Sequence, residues 1–242
     1  MGLSGAINYA GWFRALSQRM AKAYCQQYLQ VLPGAAVDVM GLARKMAQSG
    51  SNELARGMQT GRWPADVGRQ LEEVQKQFAL LNQLTAAPAT QTALVVAASE
   101  QADRTLLVAQ AVTESIEKMA QAPSARLVNL AGRQRMLSQR LAKNYFLSAA
   151  KVESKVVHAQ LAADAADFRQ ALQTLKAAPV STPAIRSELE LADSQWLFFD
   201  AALRRPADDA GLNAVATTSE RLLGVMDKLT GLYEVALREV LG

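Results

Sequence analysis

Residues 7–24 read INYAGWFRALSQRMAKAY, and residues 128–145 read VNLAGRQRMLSQRLAKNY. Superposed without a gap, they share Asn8/Asn129, Ala10/Ala131, Gly11/Gly132, Arg14/Arg135 and Tyr24/Tyr145. They also share Leu16-Ser17-Gln18-Arg19 with Leu137-Ser138-Gln139-Arg140, and Ala21-Lys22 with Ala142-Lys143. A match of this extent inside one chain is an internal duplication. Both copies lack proline and are rich in Ala, Leu, Arg, Gln and Met, so both read as helices. At about 100° per residue, Ile7, Ala10, Gly11, Arg14, Gln18, Ala21 and Cys25 share one face. Val128, Ala131, Gly132, Arg135, Gln139, Ala142 and Phe146 do so in the second copy. Arg14 and Arg135 thus stand in a stripe of small and apolar side chains. Arg19, Lys22, Arg140 and Lys143 fall on other faces and are expected to reach solvent.

A glycine inside a helix costs roughly 1 kcal/mol against alanine. Its place in both copies therefore suggests a use, either close approach of another helix or access of a ligand to backbone. No Asp or Glu occurs from Met1 to Val37, or between Lys118 and Val152. An arginine facing a packed stripe needs a counter-charge, because an unpaired buried ion costs several kcal/mol. Its own helix has none to offer. The partner is either a carboxylate on another helix, Glu100 and Glu220 being candidates, or an external anion. The guanidinium fork suits flat oxyanions bidentately.

The pattern I/V-N-x-A-G-x-x-R-x-L-S-Q-R-x-A-K, carried by both copies, resembles the signature helix of the PilJ-type sensor domain. That domain stands at the N-terminus of type IV pili methyl-accepting chemotaxis transducers. The pattern is also similar to the P-box of nitrate/nitrite sensor histidine kinases. The resemblance implies an all-helical, periplasmic ligand-binding domain in which two signature helices hold one nitrate. It assigns the binding groups to Arg14 and Arg135, with backbone near Gly11 and Gly132; Asn8, Asn129, Ser17 and Ser138 on the same turns complete the candidate set. Ser17-Gln18 and Ser138-Gln139 either help ligate the anion or bond across helices, and the second fits better. The first copy departs from the pattern. Ala15 stands where Met136 follows the second arginine, and Trp12-Phe13 replace Arg133-Gln134. The two half-sites are therefore expected to differ.

With 242 residues, the chain has length for one large core or two small ones. Its net charge of +4 is modest and gives no reason to invoke nucleic acid. Arg126, Arg133, Arg140, Lys143 and Lys151 spread around their helix without aromatic interleaving and read as a solvated face. The single cysteine, Cys25, precludes an intrachain disulfide and reads as a packed thiol. No apolar run reaches membrane-spanning length. The start MGLSGAINYAGWFR has neither a secretory pattern nor, with Ala6, a myristoylation site. A mature chain whose leader is removed and a cytoplasmic protein both fit; the resemblance alone favours the periplasm.

Helix signals divide the chain into eight segments, at about 4–32, 35–59, 64–84, 89–121, 123–151, 154–177, 183–204 and 209–241. Pro33-Gly34, Gly61 with Pro64, and Ala86-Ala87-Pro88 mark breaks, and Ser49-Gly50-Ser51 marks a weak point. Thr182 reads as an N-cap with Pro183 at N1. Val67, Leu71, Val74, Phe78 and Leu81 recur at the spacing of Ile185, Leu189, Ala192, Trp196 and Phe199, and Ala98-Ser99-Glu100 matches Thr218-Ser219-Glu220. Trp63, Trp196 and the Phe198-Phe199 pair read as core. The expected class is all-α, a tandem repeat of two up-down four-helix bundles, with domains 1–122 and 123–242. A pseudo-two-fold would bring Arg14 and Arg135 to a common gap.

No catalytic motif, cofactor motif or metal-ligand spacing is found, and His158 reads as a solvated residue. The leading expectation is a sensor or binding module for a small oxyanion, nitrate or nitrite. Lacking a kinase or methyl-accepting region, it would act through a membrane sensor or transducer partner, or be part of a larger receptor. The alternative is a structural or protein-interaction module whose arginines pair internally. A third reading places the motif helices of two chains together in a homodimer.

Overall fold

The computed structural model describes residues 1–59, 63–152 and 155–241. Among these, eight α-helices and no strands are present. They are α1 (Leu3–Tyr28), α2 (Pro33–Met58), α3 (Ala65–Leu84), α4 (Thr92–Ala120), α5 (Pro123–Ala149), α6 (Lys155–Lys176), α7 (Pro183–Leu203) and α8 (Asp209–Leu241). The duplicated stretch lies in α1 and α5. Gly61 and Ser154, read as a break and a helix start, lie outside the described residues.

Two prolines set the register at helix starts rather than ends. Pro33 occupies the first turn of α2, and Pro123 the first turn of α5. Proline lacks the N–H that the first turn leaves unpaired anyway. Helix α1 therefore stops at Tyr28, earlier than expected, and Gln30 and Leu32 take left-handed conformations to turn the chain. Gln121 does the same between α4 and α5. The expected weak point at Ser49-Gly50-Ser51 is continuous helix. Gly50 is buried there against the Phe13 and Tyr9 rings, so packing overrides its low propensity.

Helices α1 to α4 pack as one bundle, with α1 against α2 and α4, and α3 against α4. Helices α5 to α8 repeat this arrangement, with α5 against α6 and α8, and α7 against α8. The bundles meet along α1 and α5, and one continuous core runs through both. The outer helices α3 and α7 bury the two matched stripes, Val67 to Leu81 and Ile185 to Phe199. Burying each large apolar side chain contributes about 1.5–3 kcal/mol. Trp196 stacks on Phe168 at 4.3 Å, and Phe13 meets Phe78 at 5.8 Å. Phe198, expected in the core beside Phe199, is instead 63% exposed, because adjacent helix positions face about 100° apart. No helix among the described residues is long and apolar enough to cross a membrane.

The middle of the molecule runs against ordinary amphipathic logic. From Phe13 to Gln26, α1 is buried on all sides; α5 is buried from Gln134 to Leu147, apart from Arg140. These two helices carry Arg14, Gln18, Lys22, Arg135, Gln139 and Lys143 into the interior.

Thr182 caps α7 as the sequence indicates, its Oγ1 accepting from the Ile185 N–H at 3.2 Å. Thr182→Ala should therefore lower stability by about 1 kcal/mol in a denaturant titration, with no change in helix content by circular dichroism.

Candidate functional site

Where α1 crosses α5, each helix presents a glycine to the other's arginine. A Cβ placed on Gly11 would lie 3.1 Å from Arg14 Nη2 and 3.3 Å from Arg135 Nη2. On Gly132 the corresponding distances are 3.2 Å to Arg135 and 3.4 Å to Arg14. The two guanidinium tips therefore converge at the crossing and fill the room that the missing side chains leave. Both arginines are fully buried. Their hydrogen bonds cross between the copies: Arg14 Nη2 donates to the Asn129 carbonyl and Arg135 Nη2 to the Asn8 carbonyl, each at 3.2 Å. Both motif helices at this crossing belong to one chain.

The symmetry ends at the other Nη atoms. Arg135 Nη1 donates to Asp227 Oδ1 of α8 at 2.7 Å, whereas Arg14 Nη1 donates to the neutral Gln110 Oε1 of α4 at 2.7 Å. The Arg135 guanidinium carbon lies 4.3 Å from the centre of the Trp12 ring, a cation–π contact. The residue matching Trp12 in the second copy is Arg133, a cation that pairs with Asp167 at 2.8 Å. Arg14 thus lacks both the carboxylate and the aromatic face. Burial, and then the charges of Arg135 and Arg133, pull its pKa from 12.5 down to about 9, against the opposing pull of Glu114 and Glu117. It remains a cation at neutral pH. Burial lowers Arg135 as well, and Asp227 opposes this. Outside Arg14 opens a cleft of about 310 Å³ lined by Gln110, Glu114, Asn129, Arg133 and others.

The remaining candidate residues take other positions. Asn8 and Asn129 lend carbonyls to the arginines, and their amide groups donate to Glu234 and Glu117. Ser17 and Ser138 bond back to the Arg14 and Arg135 carbonyls of their own helices, while Gln139 Nε2 bonds across, donating to the Ser219 carbonyl of α8 at 3.2 Å. Among the described residues, Arg135 Nε, both polar atoms of Gln18 and Gln139 Oε1 find no hydrogen-bond partner. An unmet buried polar atom costs roughly 1–3 kcal/mol, so this seam favours whatever brings donors and acceptors to it.

Expectations about the flanking cations need correction. Arg19, Lys22 and Lys143 are buried, and Arg140 is largely covered. Glu220, a candidate partner for the stripe arginines, instead receives Arg19 Nη2 and Lys22 Nζ at 2.5 Å each. Glu100 is exposed. Lys143 meets Asp103 at 2.6 Å, and Arg140 grips the buried Asp164 with two bonds of 2.6 and 2.8 Å. A helix enclosed on every side has no solvent face, so each of its cations needs an acid from another helix. The Arg19/Lys22–Glu220 and Lys143–Asp103 pairs run from one bundle to the other. Cys25 is a packed thiol whose burial pushes its pKa up to about 12.

Gln110, Asp227 and Trp12 were not singled out as site residues by the sequence. The register aligning Ser99-Glu100 with Ser219-Glu220 sets Leu107 opposite Asp227 and Thr230 opposite Gln110, so comparing the copies conceals both. Only the Trp12/Arg133 mismatch was visible.

Gly132→Ala gains about 1 kcal/mol of helix propensity but displaces charged hydrogen bonds worth roughly 1.5–3 kcal/mol, so a net loss of about 1 kcal/mol is expected. Gly224→Ala, with nothing within 4 Å, should gain up to about 1 kcal/mol; chemical denaturation of the two variants checks the contrast. For Glu220, burial alone would raise the pKa, but Lys22 and Arg19 bring it from 4.5 down to about 2. A depressed carboxylate contributes stability above its unfolded pKa and loses it as pH falls through the folded one. Glu220→Gln should therefore flatten the loss of stability between about pH 4.5 and pH 2 relative to the parent chain, as measured by denaturant midpoints.

Residues 117–222, from the end of α4 into α8 and including the second motif helix, match the family model described as the type IV pili methyl-accepting chemotaxis transducer N-terminal domain, PilJ. No curated protein and no solved structure matches the chain. The signature helix α5 lies inside the matched span, so residues 117–222 are similar to the PilJ N-terminal domain of those transducers.

Proposed function

We propose that the chain is a binding module for a small oxyanion, nitrate or nitrite, with the first bundle acting as a diverged second copy of the PilJ-type domain. The observation that carries this reading is the convergence of two fully buried guanidinium tips on Gly11 and Gly132. Like charges so placed repel, and an anion bridging them offsets both the repulsion and the desolvation. The planar forks provide the geometry for a flat oxyanion.

Access runs through the Arg14 half. The cleft there borders Gln110 and Asn129, the two residues outside α1 that occupy Arg14. Gln110 Oε1 holds the place that an anion oxygen would take, and as a neutral amide it is readily displaced. On the other side, Trp12 and Asp227 cover Arg135. A bound anion would join α1 to α5 and, by displacing Gln110, release α4 from Arg14, so ligation would register as a change between helices. By analogy with chemotaxis transducers, that change would pass to a membrane sensor or transducer protein, with the module in the periplasm.

One observation favours a second reading. Arg135 already has a carboxylate in Asp227, as a structural module with internally neutralised arginines and no small ligand would require. The two readings separate on thermal stability in sodium nitrate against sodium chloride at equal ionic strength. At a hundred times Kd, a bound anion adds about 2.7 kcal/mol, or roughly 5–10 °C for a chain of this size. The rise should vanish in Arg14→Ala and Arg135→Ala. An equal response to both salts would leave the structural reading.

A further inference from the structure

Resting on the oxyanion reading, we propose that Asp227 limits the site to anions of a single negative charge and so sets which oxyanions the module accepts. The two arginines bring two positive charges to the crossing of α1 and α5. Asp227 Oδ1, 2.7 Å from Arg135 Nη1, answers one of them and leaves the Arg14 charge open. Gln110, holding the matching position on Arg14, is neutral and answers nothing. One further negative charge closes the account among the contacting groups. A second would leave an uncompensated charge in a buried site, where desolvation is costly. The surrounding acids push the same way: Glu114 and Glu117 act on Arg14, and Glu234 acts on Arg135. Arg133 pulls the other way on Arg14 but is itself paired with Asp167, while Lys118 and Arg126 line the cleft beside Glu114 and Glu117.

Asp227 meets Arg135 from the solvent side. Its side chain is 45% exposed, while the Arg135 side chain it meets is fully buried. The carboxylate therefore projects a charge into the site from its rim. Asp227→Asn keeps the shape and an acceptor oxygen for Arg135 Nη1 and removes only the charge.

Calorimetric titration with sodium perchlorate and sodium sulfate at equal ionic strength isolates charge, since both anions are tetrahedral; sodium nitrate reports the planar monoanion. The parent chain should bind nitrate and discriminate against sulfate relative to perchlorate. Asp227→Asn should shrink that sulfate-to-perchlorate discrimination by at least about tenfold, leaving nitrate relative to perchlorate unchanged. If the parent binds nitrate, Arg14→Ala abolishes it, and Asp227→Asn shifts all three anions equally, the charge limit is overturned while the oxyanion reading stands. Binding by neither protein overturns both. Binding by Asp227→Asn alone also overturns both, and makes Asp227 itself the occupant of the site.

Discussion

Everything in this molecule is arranged around two helices that are polar and yet enclosed on every side. Arg14 and Arg135 sit at their crossing, and neither helix carries an acid to answer them. An isolated ion in that environment costs several kcal/mol, so the outer helices must deliver the missing charge. Asp227 and Glu220 come from α8, Asp103 from α4, and Asp164 from α6. The positions of α4 and α8 beside the central pair are thus an electrostatic requirement as much as an apolar one.

These pairs also fix the relation of the two bundles. Lys22 and Arg19 of α1 reach Glu220 in the other bundle, and Lys143 of α5 reaches Asp103 in the opposite direction. Each arginine takes a backbone carbonyl from the other copy's motif helix. Buried ion pairs add little net stability over a well-packed apolar core, but removing one partner is costly, because the other charge stays buried. Such contacts favour one register of α1 against α5 and penalise its neighbours. Glycines at the crossing keep the approach close enough for the arginines to reach across.

The sequence made the helices, the repeated motif and the facing arginines readable, because periodicity and a gapless match are local patterns. Thr182 and Pro183 marked their helix start correctly for the same reason. It misplaced the cations of the motif. Helical periodicity distinguishes faces, but it does not say how many faces are covered; Lys22 and Lys143 look solvent-facing until a third and a fourth helix are counted. The reach of Glu220 was legible as a candidate acid but assigned to the wrong arginine, since pairing across bundles depends on the crossing geometry. Phe198 looked like core beside Phe199 and is exposed, a matter of rotation by one residue. Asp227 and Gln110 left no trace in the repeat, because they break it.

That break is where duplication departs from dimerisation. Two identical chains meeting on a two-fold axis would have to give both arginines the same partner, either two carboxylates or none. Two carboxylates would cancel the charge of the site, and none would leave it doubly positive. A single chain holding both copies escapes the constraint, because α4 and α8 are free to diverge. Here α8 places a carboxylate on one arginine, α4 places a neutral amide on the other, and Trp12 replaces the cation that Arg133 supplies in the partner copy. The result is one pair of facing arginines whose contacting groups hold a single carboxylate between them, so one positive charge is left over. A symmetric pair of half-sites has no route to an odd charge.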